Sequence, residues 1–304
     1  MSDPQQPSNE SSTNQLQVVP HTGLAKLGAG AKKLYSRMTS DLLREQALST
    51  AVRHSIGDTW LYEPDYFAIQ YLARLWAEHD IDVLEKVCGT EKMTNINWTA
   101  PSIQAGRILA ICLDDSNLSD ENLQTILNTT RQLRCLSLIK NQLSVLDLTP
   151  VPNLTDLRCW ENQLTVLDLT PVPNLTELWC GENQLTVLDL TPVPNLTKLW
   201  CWENQLTVLD LTPVPNLTNL WCSKNQLTVL DLTPISNLTY LLWCSENQLT
   251  VLDLTPVPNL TKLWCSENQL TVLDLTPVPN LTELICDARV RLFNLPAGCS
   301  VTRF

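Results

Sequence analysis

Histidine, phenylalanine and glycine are all scarce, with three, three and eight copies in 304 residues. The histidines, His21, His54 and His79, are scattered with no ligand cluster around them, which leaves little for acid–base catalysis or a metal site. So few glycines leave no Gly-rich loop to cradle a phosphate. No Ser/His/Asp set is visible either. No apolar run nears the roughly 18 residues of a membrane-spanning helix. The opening stretch, residues 1–20, lacks the basic start and apolar centre of a secretory signal. Positive charge is also short: 20 Lys and Arg face 32 Asp and Glu, for a net charge of −12. Such a chain repels phosphate backbones, which argues against nucleic acid as a partner. These absences argue against an enzyme, and no cofactor, metal or membrane span is expected.

What is present is repetition. Leu154 to Asn174 reads LTDLRCWENQLTVLDLTPVPN, and Leu175 to Asn195 reads LTELWCGENQLTVLDLTPVPN. Turns begin at Leu133, Leu154, Leu175, Leu196, Leu217, Leu238 and Leu260, each 21 residues long except that from Leu238, which has 22. A fixed period of roughly 20–29 residues carrying Leu-x-x-Leu-x-Leu/Cys-x-x-Asn belongs to a solenoid. One turn cannot bury enough apolar surface to fold alone, so stability belongs to the stack.

With each turn numbered from its first Leu, positions 3 to 7 alternate as a strand should. In the turn from Leu154, Leu157 and Cys159 point inward, while Asp156, Arg158 and Trp160 point outward. Leu164, Leu167 and Leu169 supply the return side, and Thr-Pro-Val-Pro closes the coil because Pro denies a helix its hydrogen bonds. The extra residue near Tyr240 predicts a local bulge.

Seven of the eleven Cys share one inward position: Cys159, Cys180, Cys201, Cys222, Cys244, Cys265 and Cys286. Leu138 stands there in the first full turn, so Cys acts as a small buried apolar group. A metal ladder would need ligands converging on one point, and a single file does not converge. Free buried thiols suit a reducing compartment.

Before the repeats, residues 1–30 are rich in Ser, Asn, Gln and Pro and read as a disordered leader. Residues 31–107 read as a helical cap: a helix from Ala31 to His54, a loop from Ser55 to Pro64, then a second helix bearing Phe67, Tyr71 and Leu75 on one face with Ala68, Leu72 and Trp76 beside it. A short third helix is expected over Ile81–Val87. Residues 108–132 read as an irregular first turn with a helix over Asn122–Leu127. The solenoid runs over 108–288, with a C-terminal cap at 289–304.

Residues 108–288 resemble a bacterial leucine-rich-repeat array, and the period of 21 with its LDL phrase is similar to the class sometimes called IRREKO. Leucine-rich-repeat effectors of enteric pathogens are a looser likeness, since those favour Leu-Pro pairs where this chain has Asp-Leu-Thr-Pro. The resemblance implies an α+β fold: a curved stack with a parallel sheet on its concave side, preceded by a small helical cap. It implies partner recognition by the outward residues of that sheet. It also implies that the Asn column, Asn141, Asn162, Asn183, Asn204, Asn225, Asn247 and Asn268, turns inward and hydrogen-bonds neighbouring turns, a task suited to an amide that donates and accepts at once. Some effectors add a C-terminal ubiquitin ligase with a nucleophilic Cys. Here only Arg289 to Phe304 follows the last repeat, and no His follows Cys299.

The outward columns are the candidate site. Position 5 holds Arg158, Trp179, Trp200, Trp221, Trp243 and Trp264, an exposed file spaced at about 4.8 Å, with Trp160 and Trp202 beside it at position 7. The rings either stiffen the sheet by stacking on each other or form a platform for a partner, Trp being enriched in hot spots. Position 8 carries Glu161, Glu182, Glu203, Glu246 and Glu267, with Lys140 and Lys224. An acidic rim beside a Trp floor suits a protein partner with a basic or mixed-charge surface. Position 3 varies in charge and is where specificity could be written. The Asp column from Asp147 to Asp274 could hold calcium, although the Gly-rich loops of calcium-binding repeats are missing. The Asn-Leu-Thr triplets match the glycosylation acceptor but read as turn chemistry.

The expected function is therefore a non-catalytic protein-interaction module. Glycan binding is the alternative, since Trp faces stack on sugars, although columns about 4.8 Å apart leave no slot for a ring between them. Expected localisation is cytoplasmic, or secretion into a host cell by a route that needs no signal peptide, since the polar, Ser-rich start is similar to that of type III secreted proteins.

Overall fold

The computed structural model describes residues 53–56, 59–76, 84, 88, 103–104 and 107–304. Residues 1–52 lie outside it, and with them the expected leader and most of the first expected helix. The described chain opens instead on a β-hairpin, β1 (Arg53–Ile56) against antiparallel β2 (Thr59–Tyr62). This corrects both the helix end at His54 and the loop over Ser55–Pro64. The two residues separating the strands in sequence are Gly57-Asp58, a pair that short hairpin loops favour.

Helix α1 (Glu63–Trp76) begins at Glu63-Pro64, with Glu63 and Asp65 in its first turn. Its buried face is Asp65, Ala68, Ile69, Leu72 and Ala73, while Phe67 and Leu75 are exposed. The helix is thus rotated from the expected Phe67/Tyr71/Leu75 face. The Tyr71 hydroxyl donates to Asn122 Oδ1 at 2.8 Å. Asp65 fixes the orientation: it is fully buried, accepts from the Ile108 amide at 3.2 Å and lies 2.9 Å from Arg107 Nε. Burial raises its carboxyl to about 6, against the pull of Arg107. Leu84, within the third expected helix, and Cys88, just past its expected end, are helical and buried; the rest of that helix lies outside the described residues. A short antiparallel pair, β3 (Ile103–Gln104) and β4 (Arg107–Ile108), leads into the repeats.

The repeats form one parallel sheet of ten strands. In chain order its members are β5 (Ala110–Cys112), β6 (Cys135–Ser137), β7 (Asp156–Arg158), β8 (Glu177–Trp179), β9 (Lys198–Trp200), β10 (Asn219–Trp221), β11 (Leu241–Trp243), β12 (Lys262–Trp264), β14 (Glu283–Cys286) and β16 (Ser300–Arg303). Register is in phase throughout, so Leu157, Leu178, Leu199, Leu220, Leu242 and Leu263 align. Helix α2 (Asp120–Thr129) sits in the longer first turn, its N-cap Ser119 accepting from the Asn122 amide. The regular strands are three residues long, shorter than positions 3 to 7, yet pairing continues past them: the Cys159 amide donates to the Trp179 carbonyl at 2.8 Å.

Inside, Leu and Cys columns stack without solvent, the seven Cys from Cys159 to Cys286 being fully buried and free. Burial pushes the Cys159 and Cys222 thiols up to about 12, so they behave as apolar groups. The Asn column knits the turns. Asn183 Nδ2 donates to the carbonyls of Cys159 (3.0 Å) and Cys180 (3.2 Å), and its Oδ1 accepts from the Leu164 amide at 3.0 Å. The same pattern recurs at Asn162, Asn204, Asn225, Asn247 and Asn268. The Asp column is a turn device: Asp168 Oδ1 accepts from the Thr170 amide at 2.9 Å, and the Thr hydroxyl and amide together hold its carboxyl below the usual range. Each such turn leaves a Val exposed, Val166, Val187 and Val208 among them.

Two departures matter. The 22-residue turn absorbs its extra residue before β11, exposing Tyr240 while Leu241 takes the register of Asn219. The tail completes a further turn: β13 (Val272–Asp274) pairs with β15 (Arg291–Phe293), and β16 aligns Val301 with Leu284. There Asp287 Oδ1 accepts from the Glu267 amide at 2.9 Å, in the role that the Gly181 carbonyl plays for Glu161 earlier in the stack.

Candidate functional site

The outward face of the sheet is a packed aromatic surface. Each Trp of position 5 is half-buried, because its neighbours above and below cover the ring; the fully exposed file expected from the sequence is corrected on this point. Ring centroids lie 4.1 Å apart for Trp179–Trp200, 4.5 Å for Trp202–Trp221, 4.4 Å for Trp221–Trp243 and 4.1 Å for Trp243–Trp264. The file is not one stack. Trp202, from position 7, continues it to Trp221, whereas Trp200 turns to Trp179. Trp221 and Trp243 meet edge-on at 82°, between two pairs that stack at 17°.

Position 7 decides what the face looks like. Trp160 and Trp202 lean toward each other across the intervening turn, with centroids 5.7 Å apart. They can do so because Gly181 lies between them: a Cβ there would come within 2.3 Å of Trp202 Cδ2. Trp202 is buried and donates its Nε1–H to Glu182 Oε1 at 3.2 Å. Beyond it position 7 becomes Ser223, Ser245 and Ser266, whose small side chains leave a trough of about 400 Å³. One wall is Trp221, Trp243 and Trp264; the other is Glu203, Lys224, Glu246 and Glu267. Trp202 and Glu182 stand at one end, Ile285 and Phe304 at the other.

The trough therefore unites Glu182, Trp202, Glu203, Trp221, Trp243, Glu246, Trp264 and Glu267 from the expected site. Arg158, Trp160, Glu161, Trp179 and Trp200 are not part of it. Arg158 is itself buried, its guanidinium carbon 4.4 Å from the Trp179 ring centroid, where burial lowers its pKa and the carboxylates of Glu177 and Asp156 oppose that. The serine floor was overlooked by sequence reasoning, although its signal, Ser at one position in three successive turns, was there to read.

Position 8 has an unexpected backbone. Every member of the column is left-handed: φ is 57° at Lys140, 58° at Glu161, 47° at Glu182, 49° at Glu203, 54° at Lys224, 53° at Glu246 and 53° at Glu267. Such residues cost roughly 1–2 kcal/mol relative to Gly, yet the column contains only Glu and Lys. The charge is retained against a local backbone penalty. Position 3, by contrast, spends its charges within the sheet, with Lys198 paired to Glu177 and Lys262 to Glu283 at 3.0 Å. Glu283 also accepts from Trp264 Nε1 at 2.8 Å, and Lys262 and Trp264 hold its carboxyl below the usual range. Among the described residues no group of three or more His, Cys, Asp or Glu is placed to hold a metal ion.

Solved structures with the same architecture now decide the fold. The functional domain of InlJ from Listeria monocytogenes, which includes a cysteine ladder, is 36% identical over 61% of this chain and 45% of its own length, with a TM-score of 0.51. This is a leucine-rich-repeat solenoid. YopM from Yersinia enterocolitica is 29% identical over 57% of this chain and 38% of its own, with the same TM-score of 0.51. Internalin C2 of Listeria monocytogenes, 23% identical over 76% of this chain and 94% of its own, shares the fold at a TM-score of 0.51. The chain thus spans less than half the length of the InlJ functional domain and of YopM. No family model matches it, and no curated protein does. Among the described residues of this solenoid, no helix is long and apolar enough to cross a membrane.

Proposed function

We propose that the chain is a non-catalytic protein-interaction module that presents its Trp-bearing sheet face to a protein partner carrying basic residues. The observation that carries this reading is the trough of about 400 Å³, with half-buried indoles on one wall and a carboxylate column on the other. Stability alone does not account for the aromatic file. The indole N–H of Trp243, on the wall of the trough, is buried and finds no acceptor among the described residues, a cost of about 1–3 kcal/mol that a purely structural file would avoid. Large rings at the centre of an acid-rimmed surface are the anchors that interfaces use. A glycan fits less well, because columns about 4.8 Å apart leave no slot for a sugar ring between them.

Exchanging Trp200, Trp221 and Trp243 together for Ala tests the reading. A partner captured by the intact array is expected to be lost by the triple variant while its far-ultraviolet circular dichroism persists; undiminished capture would refute it. Delivery into a host cell without a signal peptide belongs to the same proposal. Residues 1–30 fused to a reporter would be exported by a secretion-competent bacterium if it holds, and retained if it does not.

A further inference from the structure

Resting on the reading of this face as a partner-binding surface, we propose that the C-terminal half of the trough is a guanidinium pocket. It would take an arginine side chain from an extended segment of the partner. Four carboxylates border the trough, and the protein itself answers two of them. Glu182 accepts from Trp202 Nε1 at 3.2 Å, and Glu203 pairs with Lys224 at 3.3 Å. Glu246 and Glu267 are both exposed, and neither carboxylate makes a hydrogen bond or ion pair among the described residues. They stand on adjacent turns, about 4.8 Å apart along the column, each on a left-handed backbone that fixes where its side chain leaves the sheet.

Opposite this pair lies the Trp243–Trp264 stack, with the small Ser245 and Ser266 between the walls. A cation here meets carboxylates on one side and indole on the other. Arginine fits better than lysine. Its planar guanidinium offers donors along more than one edge, so it can bridge two carboxylates while its flat face lies against a ring. The protein already uses this arrangement once: Arg158 sits with its guanidinium against Trp179, beside Glu177 and Asp156. At the N-terminal end of the sheet the chain supplies its own arginine. At the C-terminal end the indoles and carboxylates recur, and among the described residues Lys224, which lines the trough, is engaged first by Glu203 and only more weakly by Glu246.

The test is a titration of the full chain with a capped Gly-Arg-Gly-Arg-Gly peptide, followed by tryptophan fluorescence and calorimetry. Saturable binding is expected, weakened about tenfold or more when citrulline replaces arginine, and weakened less when lysine does. The E246Q/E267Q variant should lose about tenfold in affinity with an unchanged melting temperature, while E161Q, outside the trough, should bind as the parent does. No saturable binding, equal binding of the citrulline peptide, or full affinity in E246Q/E267Q would each overturn the pocket. If E246Q/E267Q keeps its peptide affinity while the triple Trp variant still loses its partner, the pocket fails and the wider reading of the face stands.

Discussion

The two halves of the sheet are built from one phrase and end as opposites. From β7 to β9 the outward face is filled: Arg158 is buried against Trp179, and Trp160 and Trp202 close over Gly181. From β10 to β14 the same indole file faces a row of serines, and a trough opens. A single column, position 7, makes the difference. Large residues there use the aromatic surface for packing, and small ones leave it for something else. A repeat protein can thus keep one architecture while dividing its surface between packed and open stretches, since each column varies without disturbing the inward Leu, Cys and Asn ladders.

The largest expected effect lies in the filled half. Trp202→Ala removes a buried ring and should cost about 3–5 kcal/mol in urea unfolding, against about 1–2 kcal/mol for the half-buried Trp264. Equal costs would erase the distinction between the halves. Next, Gly181→Ala forces a Cβ toward Trp202 and should cost about 1–3 kcal/mol, whereas Ser245→Ala should stay within about 0.5 kcal/mol. Arg158→Ala is expected to lower stability by about 1–2 kcal/mol, because the cation it removes is buried against an indole.

The smallest effect is in acid, and it separates the N-terminal helix from the repeats by sign. The Asp column has folded pKa values below the unfolded one, so its contribution is present above the unfolded pKa, roughly 3.9, and is lost as pH falls through the folded values. Asp65 is raised to about 6, so the folded state holds its proton more tightly and stability falls as pH rises from about 4 to 6. Asp65→Asn should flatten the stability profile in that window and leave the acid limb unchanged; a profile that keeps its slope would show that Asp65 is not the group responsible.

Much of this was legible because periodicity exposes it. Leu157, Cys159 and Asn162 recur in register, and alternation alone sorts inward from outward. What escaped the sequence depended on neighbours 21 or 22 residues away. Trp202 is buried only because Gly181 sits one turn earlier, and the trough exists only because Ser223, Ser245 and Ser266 are stacked. The left-handed column was hidden because Glu and Lys do not advertise positive φ as Gly or Asn would. The last turn was read as a bare cap because LFNLPAGCSVTRF drops the repeat phrase, although Val301 keeps the register of Leu284. At the N-terminus the Gly57-Asp58 pair, between Ile56 and the apolar run Trp60–Tyr62, was the signal of a hairpin.

Residue-resolved oxidation of tryptophan, measured by mass spectrometry with and without a bound partner, addresses the division of the face most directly. If the open half is the recognition surface, Trp221, Trp243 and Trp264 become protected on binding while Trp160 and Trp179 react as in the free chain. Protection spread evenly over all of them, or confined to Trp160 and Trp179, would contradict it.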